Sequence, residues 1–218
     1  MPKMSVADMA GVVFSAGTVF DGLSVSRQDT ESFLHSGSIE GVTSRFDLAL
    51  LQDLRDVAAF VIDHQGQRSI DADYLCEVNA QITRTGAINP GKRRSSGQQI
   101  GVNTRYGRHE PKALSQPDLQ SLVESSTSGP DPQEKALELF VNTAKTQPFQ
   151  DGNKRTAIFA ANGLLLNKNA GRLLTIPVDE NDLSLADAFN DALAIAYIQG
   201  DHQPVKDLLR EQGFAPQC

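Results

Sequence analysis

Apolar residues recur every three or four positions in several stretches of this chain, the spacing that aligns side chains on one face of an α-helix. The clearest example is 46–64, where apolar residues recur at spacings of three and four, with Asp and Arg between them, at Phe46, Leu50, Leu54, Val57 and Val61. Ser44 precedes this stretch and suits an N-cap, while Gly66 follows it and suits a helix stop. Further amphipathic patterns predict helices over 71–84, 115–126, 132–146, 182–200 and 203–213.

One helical stretch lacks a polar face. Residues 153–168 are apolar on nearly all sides in the middle of the stretch, which predicts a helix enclosed by other helices at the centre of the core. By contrast, 85–111 is crowded with Gly, Pro, Asn and Ser, which indicates a loop, with a short β-hairpin at about 98–106. A second short extended segment is expected at 173–178. The pattern as a whole predicts an all-α fold, a compact multi-helix bundle with one small hairpin.

Composition restricts the partners and the compartment. Twenty Lys and Arg against 27 Asp and Glu give a net charge of −7, which argues against general affinity for nucleic acids or anionic membranes. With 39% hydrophobic residues and no long apolar run, the chain should be a soluble globular protein. Its first segment carries one Lys and an apolar stretch broken by Asp8, a weak secretory signal at best, so a cytoplasmic location is expected.

The two cysteines predict no disulfide framework and no metal site. Cys76 lies within a helical pattern and Cys218 is the last residue of the sequence. Another charged feature, the basic run 92–94, either attracts an anionic ligand or is an ordinary solvated loop.

The most informative stretch is "TQPFQDGNKRTAIF" at 146–159, which places a turn directly before the predicted buried helix. The first backbone amides of a helix have no internal partner, and the helix dipole adds positive charge there, so an anion is favoured. Gly152 permits close approach of a ligand and Asn153 can cap the turn. Lys154 and Arg155 offer donors to phosphate oxygens, and Asp151 is placed to hold a divalent metal. The alternative is a capped helix start with ordinary surface charges.

The segment "QPFQDGNKRTA" resembles the signature of the Fic/Doc family, H-P-F-x-D/E-G-N-G/K-R. Pro148, Phe149 and residues 151–155 match it, and 71–211 follows the helical layout of that family. The resemblance implies a Fic-like core domain over 71–211, with a β-hairpin flap ahead of the motif. It would pack as one unit with an N-terminal helical region over 1–66.

The resemblance also implies an activity, the transfer of AMP from ATP to a hydroxyl side chain of a target protein. Phe149 would anchor the loop in the core, and Asp151 would bind Mg²⁺. The backbone of Gly152 and Asn153, together with Arg155, would hold the nucleotide phosphates. The flap would bind a segment of the target by strand addition. Self-modification and oligomerisation stay open.

Two positions depart from the family pattern. Gln147 stands where the family has the general-base His, and an amide cannot accept a proton near neutral pH. Transfer should therefore be slow or absent while nucleotide binding survives, unless His109, beside the flap, substitutes. Ile158 stands where many members carry a second Arg for the terminal phosphate. The form "NKRTA" without that Arg is Doc-like, so transfer of phosphate itself is a second reading.

A further resemblance lies upstream, in "SGSIEG" at 36–41. Ser36, Glu40 and Gly41 fit the inhibitory pattern of the family, S/T-x-x-x-E-G/N, in which a carboxylate enters the site and displaces the phosphates. The alternative is an ordinary surface acid. Two other functions remain for the chain as a whole: a nucleotide-binding pseudoenzyme that recognises a partner, and a helical scaffold.

Overall fold

The computed structural model describes residues 4–86 and 88–217, and α-helices dominate this part of the chain. They confirm the predicted all-α class, and the strands form two small antiparallel hairpins where one was predicted: Val102–Thr104 with Gly107–His109, and Arg172–Leu174 with Phe214–Pro216. A 3₁₀ helix, Val6–Met9, precedes the first α-helix. The α-helices are α1 Ala10–Asp21, α2 Arg27–Ser36, α3 Arg45–Asp63, α4 Ala72–Ala80, α5 Gln116–Thr127, α6 Pro132–Thr146, α7 Asn153–Asn167, α8 Ser184–Ile198 and α9 Gln203–Gln212. The strands are β1 Val102–Thr104, β2 Gly107–His109, β3 Arg172–Leu174 and β4 Phe214–Pro216.

Helix α7 lies at the centre of the fold, as its apolar sequence predicts. Every residue from Arg155 to Leu166 is buried, and α1, α3, α4, α6 and β3 all pack against the helix. Asn162 carries the one side-chain amide inside this buried stretch, and both its nitrogen and its oxygen are hydrogen-bonded. It donates to the carbonyl oxygens of Ile158 and Leu174 at 2.9 and 2.8 Å and accepts from the amide of Leu174 at 2.8 Å. This exchange fixes β3 to the side of α7.

Helices whose ends are set locally begin and end where the sequence predicts. Ser44 caps α3 by accepting from the amide of Asp47 at 2.9 Å. Helix α4 is the exception, because it ends at Ala80 rather than at 84. The buried carboxylate of Asp53 accepts hydrogen bonds from the amides of residues 83–85, at 2.8 to 3.1 Å. These amides therefore turn towards α3 instead of continuing the helix.

The predicted hairpin forms, but it lies further along the chain than 98–106. Its strands pair Val102 with His109 and Thr104 with Gly107, and the turn falls at 105–106. Gly101 lies just before the first strand, and the Arg108 guanidinium packs beside it, with Nη2 2.8 Å from the place of an added Cβ.

The N-terminal apolar stretch is helix α1, which packs against α3 and α7 inside the same hydrophobic cluster as the rest of the chain. Cys76 is a free, half-buried thiol on α4, and Cys218 lies outside the described residues. In the part of the chain that the structure describes, no helix combines the length and the apolar character that crossing a bilayer requires.

Two helical glycines allow a test of the close packing around α7. A Cβ added at Gly163 would lie 2.4 Å from the hydroxyl oxygen of Tyr74, whereas one at Gly11 would have no contact closer than 3.4 Å. Gly163→Ala should therefore lower the free energy of unfolding by about 1–3 kcal/mol through overpacking. Gly11→Ala should raise it by up to about 1 kcal/mol through helix propensity. Urea denaturation of both variants measures this, and equal effects would contradict the packing described.

Candidate active site

The conformation of the loop between α6 and α7 is fixed by packing and hydrogen bonds of its own side chains. Helix α6 ends at Thr146, and its C-cap Gln147 adopts a left-handed conformation with φ of 46°. Phe149 is buried in the core, with 1% of its surface exposed. Asn153 spans the turn: its Oδ1 accepts from the amide of Phe149 at 2.8 Å, and its Nδ2 donates to the Phe149 carbonyl at 2.9 Å. The predicted anchor and capping residues are thus brought together.

Gly152 is required by both its conformation and its neighbours. It is the N-cap of α7 with φ of 72°, and a Cβ there would lie 2.7 Å from Ile82 Cδ1 and 3.1 Å from Asn79 Nδ2. The same Asn79 Nδ2 donates to the carbonyl oxygen of Asp151 at 3.1 Å. No side chain of the described residues caps this helix start. Its first amides therefore remain for a ligand.

Arg155 is the deepest cation of the site, with 3% of its surface exposed. It donates from Nη1 to the Thr85 hydroxyl at 2.6 Å and from Nη2 to the Thr85 carbonyl at 3.2 Å. Two carboxylates face the same guanidinium: Asp21 Oδ2 lies 3.4 Å from Nε, and Asp151 Oδ1 lies 3.7 Å from Nη2. Arg155, the cation that the sequence predicts to bind phosphates, is therefore buried at the start of α7, and the carboxylate of Asp21 already lies beside it.

Lys154 also contacts the end of α1. Its Nζ lies 4.8 Å from the ring centroid of Phe20, a cation–π contact. Burial lowers the pKa of Lys154, and the nearby Asp21 offsets only part of this effect. Burial also raises the pKa of Asp21, against the opposing charges of Arg155 and Lys154. Consecutive residues of α1, Phe20 and Asp21, thus contact consecutive cations of α7.

These groups line a cavity of about 550 Å³, a volume in the usual range for small-molecule sites. Its walls are the end of α1, the flap from residue 100 to 105, the start of α7 and one face of α8. The lining side chains that carry charge or an amide are Asp21, Asn103, Arg105, Gln147, Gln150, Asp151, Asn153, Lys154, Arg155, Asn190 and Asp191.

The residues present fit a magnesium ion only together with a phosphate ligand. Asp151 lines the cavity with 46% of its side chain exposed, and its Oδ1 accepts from the amide of Gly152 at 2.6 Å. Among the described residues there is no group of three His, Cys, Asp or Glu that would hold a metal alone. Mg²⁺ commonly binds through one or two carboxylates plus phosphate oxygens, which matches this single acid beside an anion site.

Gln147 lies in a setting that fixes its backbone and encloses its side chain. Only 5% of its surface is exposed, and its carbonyl accepts from Arg94 Nε at 2.7 Å. The side chain lies near the buried hydroxyl of Tyr197, which has no partner of full hydrogen-bond geometry in the described part of the protein. Burial raises the pKa of Tyr197 far above its usual value, so this phenol is no proton acceptor.

None of the four histidines in the sequence, all of which the structure describes, lines the cavity. His109 stacks on Tyr197 with 4.8 Å between ring centroids, and its Nε2 donates to the Lys145 carbonyl at 2.6 Å. The ring is therefore committed to holding the flap against α6 and α8. This geometry does not support the suggestion that His109 replaces the missing base.

The basic run 92–94 is divided between surface and interior. Lys92 is exposed, and Arg93 Nη1 donates to the carbonyl of Leu114 at 3.2 Å. Arg94 is buried and donates only to carbonyl oxygens, including Pro111 at 2.6 Å. None of the three lines the main cavity. In this structure the run joins the flap to the motif loop instead of attracting a ligand to the site.

Two sequence features lie away from the cavity. Ile158 is fully buried in α7 and is not among the lining residues. The predicted inhibitory segment does not reach the site: Ser36 ends α2 and bonds back to the Ser32 carbonyl, while Glu40 is exposed in the following turn. A Cβ on Gly41 would meet Asp29 of α2, which shows where this turn is packed. The carboxylate from outside the motif that lies beside Arg155 is Asp21.

Sequence reasoning missed Asp21, Thr85 and Tyr197. The ending "VFDG" at 19–22, an acid followed by a glycine after an apolar run, is a signal for the end of a helix and could have marked α1. Thr85 lies in a stretch that the sequence predicts only as a loop, and Tyr197 lies on an apolar helical face. Neither carries a local signal of its role.

Comparison with known proteins agrees with this geometry. The model of the Fic/DOC family matches residues 69–165, which include the motif loop and most of α7. A search of curated proteins found no significant match.

Several solved structures share the fold, among them one from C. elegans and two from Bartonella. Fic-1 from C. elegans has 17% identity and a TM-score of 0.68, covering 92% of this chain and 58% of its own. BepC from Bartonella tribocorum, with bound AMPPNP, has 19% identity and a TM-score of 0.54, covering 79% and 87%. The N-terminal Fic domain of a cell filamentation protein from Bartonella quintana, with bound ADP, has 17% identity and a TM-score of 0.53, covering 78% and 86%.

The chain spans only 58% of the length of the C. elegans structure, so the likeness concerns the fold and not the whole protein. Residues 69–165 thus match the Fic/DOC family model, and the protein has the fold of the Fic proteins.

Proposed function

We propose that the cavity at the start of α7 binds the phosphates of a nucleoside triphosphate, with ATP as the expected nucleotide. The observation that carries this proposal is the pair of cations, the half-buried Lys154 and the buried Arg155, at a helix start without a side-chain cap. A cavity of about 550 Å³ adjoins them. The AMPPNP and ADP bound by the two Bartonella structures support the same ligand class.

Each motif residue then has a role in binding. The amide of Asn153 and the guanidinium of Arg155 contact the phosphates, joined by the amide of Gly152 once it releases its hydrogen bond to Asp151 Oδ1, and Asp151 holds Mg²⁺. The metal, when bound, supplies neutralisation of the charge on the phosphate oxygens. Asn79 and Phe149 act indirectly, because their contacts keep this loop in place.

The proposed reaction is a Fic-like transfer of AMP to a hydroxyl side chain of a target protein. The hydroxyl oxygen attacks the α-phosphorus, the bond to the bridging oxygen breaks, and pyrophosphate leaves. The target segment lies along β1, which pairs only with β2 in the described part of the chain and borders the cavity. The proton of the hydroxyl needs an acceptor, and Gln147 offers none. Transfer is therefore impaired, by about 10²–10⁴-fold for the loss of a general base.

Internal inhibition, which the sequence suggested for Glu40, is better supported for Asp21. Its carboxylate lies against Arg155, where a phosphate would bind, and Phe20 covers Lys154. A nucleotide must displace both contacts before it can use both cations. Binding is thus weakened by the end of α1 rather than by the segment 36–41.

This competition gives a direct test. Asp21→Asn keeps the shape of the side chain and removes its charge, so the affinity for ATP with Mg²⁺ should rise by about tenfold, the equivalent of roughly 1.4 kcal/mol. Glu40→Gln, the matched change at the exposed acid, should leave the affinity unchanged. Isothermal titration calorimetry measures both, and Arg155→Ala should abolish the heat. An equal gain from both acid variants would contradict a specific role for Asp21.

Two other functions stay as alternative proposals. The motif form NKRTA, with Ile158 in place of a second Arg, resembles the Doc-like form, in which phosphate itself is transferred. The enclosed amide of Gln147 fits a pseudoenzyme that binds a nucleotide and a partner without chemistry. All three functions use the same nucleotide site. They differ in the group transferred, which is AMP for the Fic-like reaction, phosphate for the Doc-like reaction and none for the pseudoenzyme.

Restoring the proton acceptor separates them. In the Asp21→Asn background, Gln147→His should raise transfer of label from α-labelled ATP to protein by about 10²–10⁴-fold over the parent. Histidine tolerates the left-handed backbone at this position better than most residues. Mass spectrometry identifies the group attached.

Controls make each outcome decisive. Gln147→Ala in the same background should give no gain. Transfer of label from γ-labelled ATP alone would support the Doc-like reaction. Tight nucleotide binding without transfer of either label, even with His at 147, would rule out the transferase and favour the pseudoenzyme.

A further inference from the structure

Thr85 and Asp53 form a buried chain of hydrogen bonds that ends on Arg155. The Thr85 hydroxyl donates to Asp53 Oδ2 at 2.7 Å and accepts from Arg155 Nη1 at 2.6 Å. Both directions are fixed by chemistry, since a carboxylate only accepts and a guanidinium only donates. Thr85 is 6% exposed and the side chain of Asp53 is fully buried. The chain therefore runs entirely through the protein interior.

Asp53 is held as a charged carboxylate. Burial alone would raise the pKa of Asp53, but the Thr85 hydroxyl and the amides of residues 83–85 together lower it. Arg84 Nη1 adds a charged donor at 3.0 Å. An ionised acceptor strengthens the hydrogen bond that Thr85 donates, and this in turn makes the hydroxyl oxygen a better acceptor for Arg155.

The two edges of the Arg155 guanidinium have different partners. Nη1 and Nη2 contact the hydroxyl and the carbonyl of Thr85, which belongs to the loop after α4. Nε faces Asp21, the carboxylate that competes with a phosphate in the proposed function. A ligand can displace Asp21 while the Thr85 edge stays in place. Thr85 thus orients the guanidinium before and after the ligand arrives.

We propose that Thr85, supported by Asp53, is a positioning residue that holds the Arg155 guanidinium in the orientation required to bind the nucleotide phosphates. This inference rests on the proposed nucleotide binding at the same site. Neither residue belongs to the motif at 147–155, and Thr85 acts through Arg155 without lining the cavity itself. A held guanidinium loses less rotational freedom when it binds, which increases affinity.

The test compares Thr85→Val with Thr85→Ser. Valine keeps the shape of threonine and removes the hydroxyl, whereas serine keeps the hydroxyl. Thr85→Val should weaken binding of ATP with Mg²⁺ by about tenfold, and Thr85→Ser should stay within about twofold of the parent. Thr83→Val is the matched control in the same loop, because Thr83 is exposed and contacts Asp53 only through its backbone amide in the described part of the chain. Its affinity should not change.

A second readout does not depend on a nucleotide. Rotation of the Arg155 guanidinium, followed by NMR of its labelled nitrogens, should be slow in the parent, in Thr85→Ser and in Thr83→Val, and faster in Thr85→Val. Unchanged rotation in Thr85→Val would overturn the proposal, as would faster rotation with unchanged affinity, or a serine variant as impaired as the valine variant. If the parent binds no ATP, the proposed function fails, and the rotation still decides whether Thr85 holds the guanidinium.

Discussion

The burial of the Arg155 guanidinium in the first turn of α7 is the constraint on which the surrounding structure depends. A buried cation needs compensating charges and hydrogen-bond acceptors, because its desolvation costs several kcal/mol. They come from three separate parts of the chain: Asp21 at the end of α1, Thr85 after α4, and Asp151 just before α7. Satisfying one side chain thus draws these three segments around the helix start, and two of them, at Asp21 and Asp151, line the cavity.

The proposed anion binding and the proposed proton transfer depend on different features of the same loop. Anion binding depends on the start of α7, where Asn153 bonds across the turn to Phe149 and Arg155 is held by Thr85. Proton transfer depends on the C-cap of α6, where the backbone carbonyl of Gln147 accepts from Arg94. Because the backbone at 147 is fixed independently of the side chain, the residue type there can change without disturbing the start of α7.

Helix periodicity, caps and turn residues predicted the fold well wherever neighbouring residues decide the local structure. Helix α6 begins and ends where its pattern and its caps place it, and α7 is buried because it lacks a polar face. The motif loop, from Pro148 to Arg155, was also visible, since Pro, Gly and Asn have strong local preferences. The local pattern placed the C-terminal end of α4 four residues too far along the chain. That end is set by Asp53, a residue about thirty positions away.

The choice of the carboxylate beside Arg155 shows the limit of a sequence pattern. Glu40 and Asp21 are each an acid followed by a glycine near a helix end, and nothing local distinguishes them. The sequence by itself determined the helical class, the central helix and the cationic motif, because periodicity and turn chemistry are properties of neighbouring residues. Tertiary packing decided that α1 reaches Arg155, that segment 36–41 stays at the surface, and that Thr85 holds the guanidinium. These contacts join residues about 70 to 130 positions apart, and the shape of the folded core selects them.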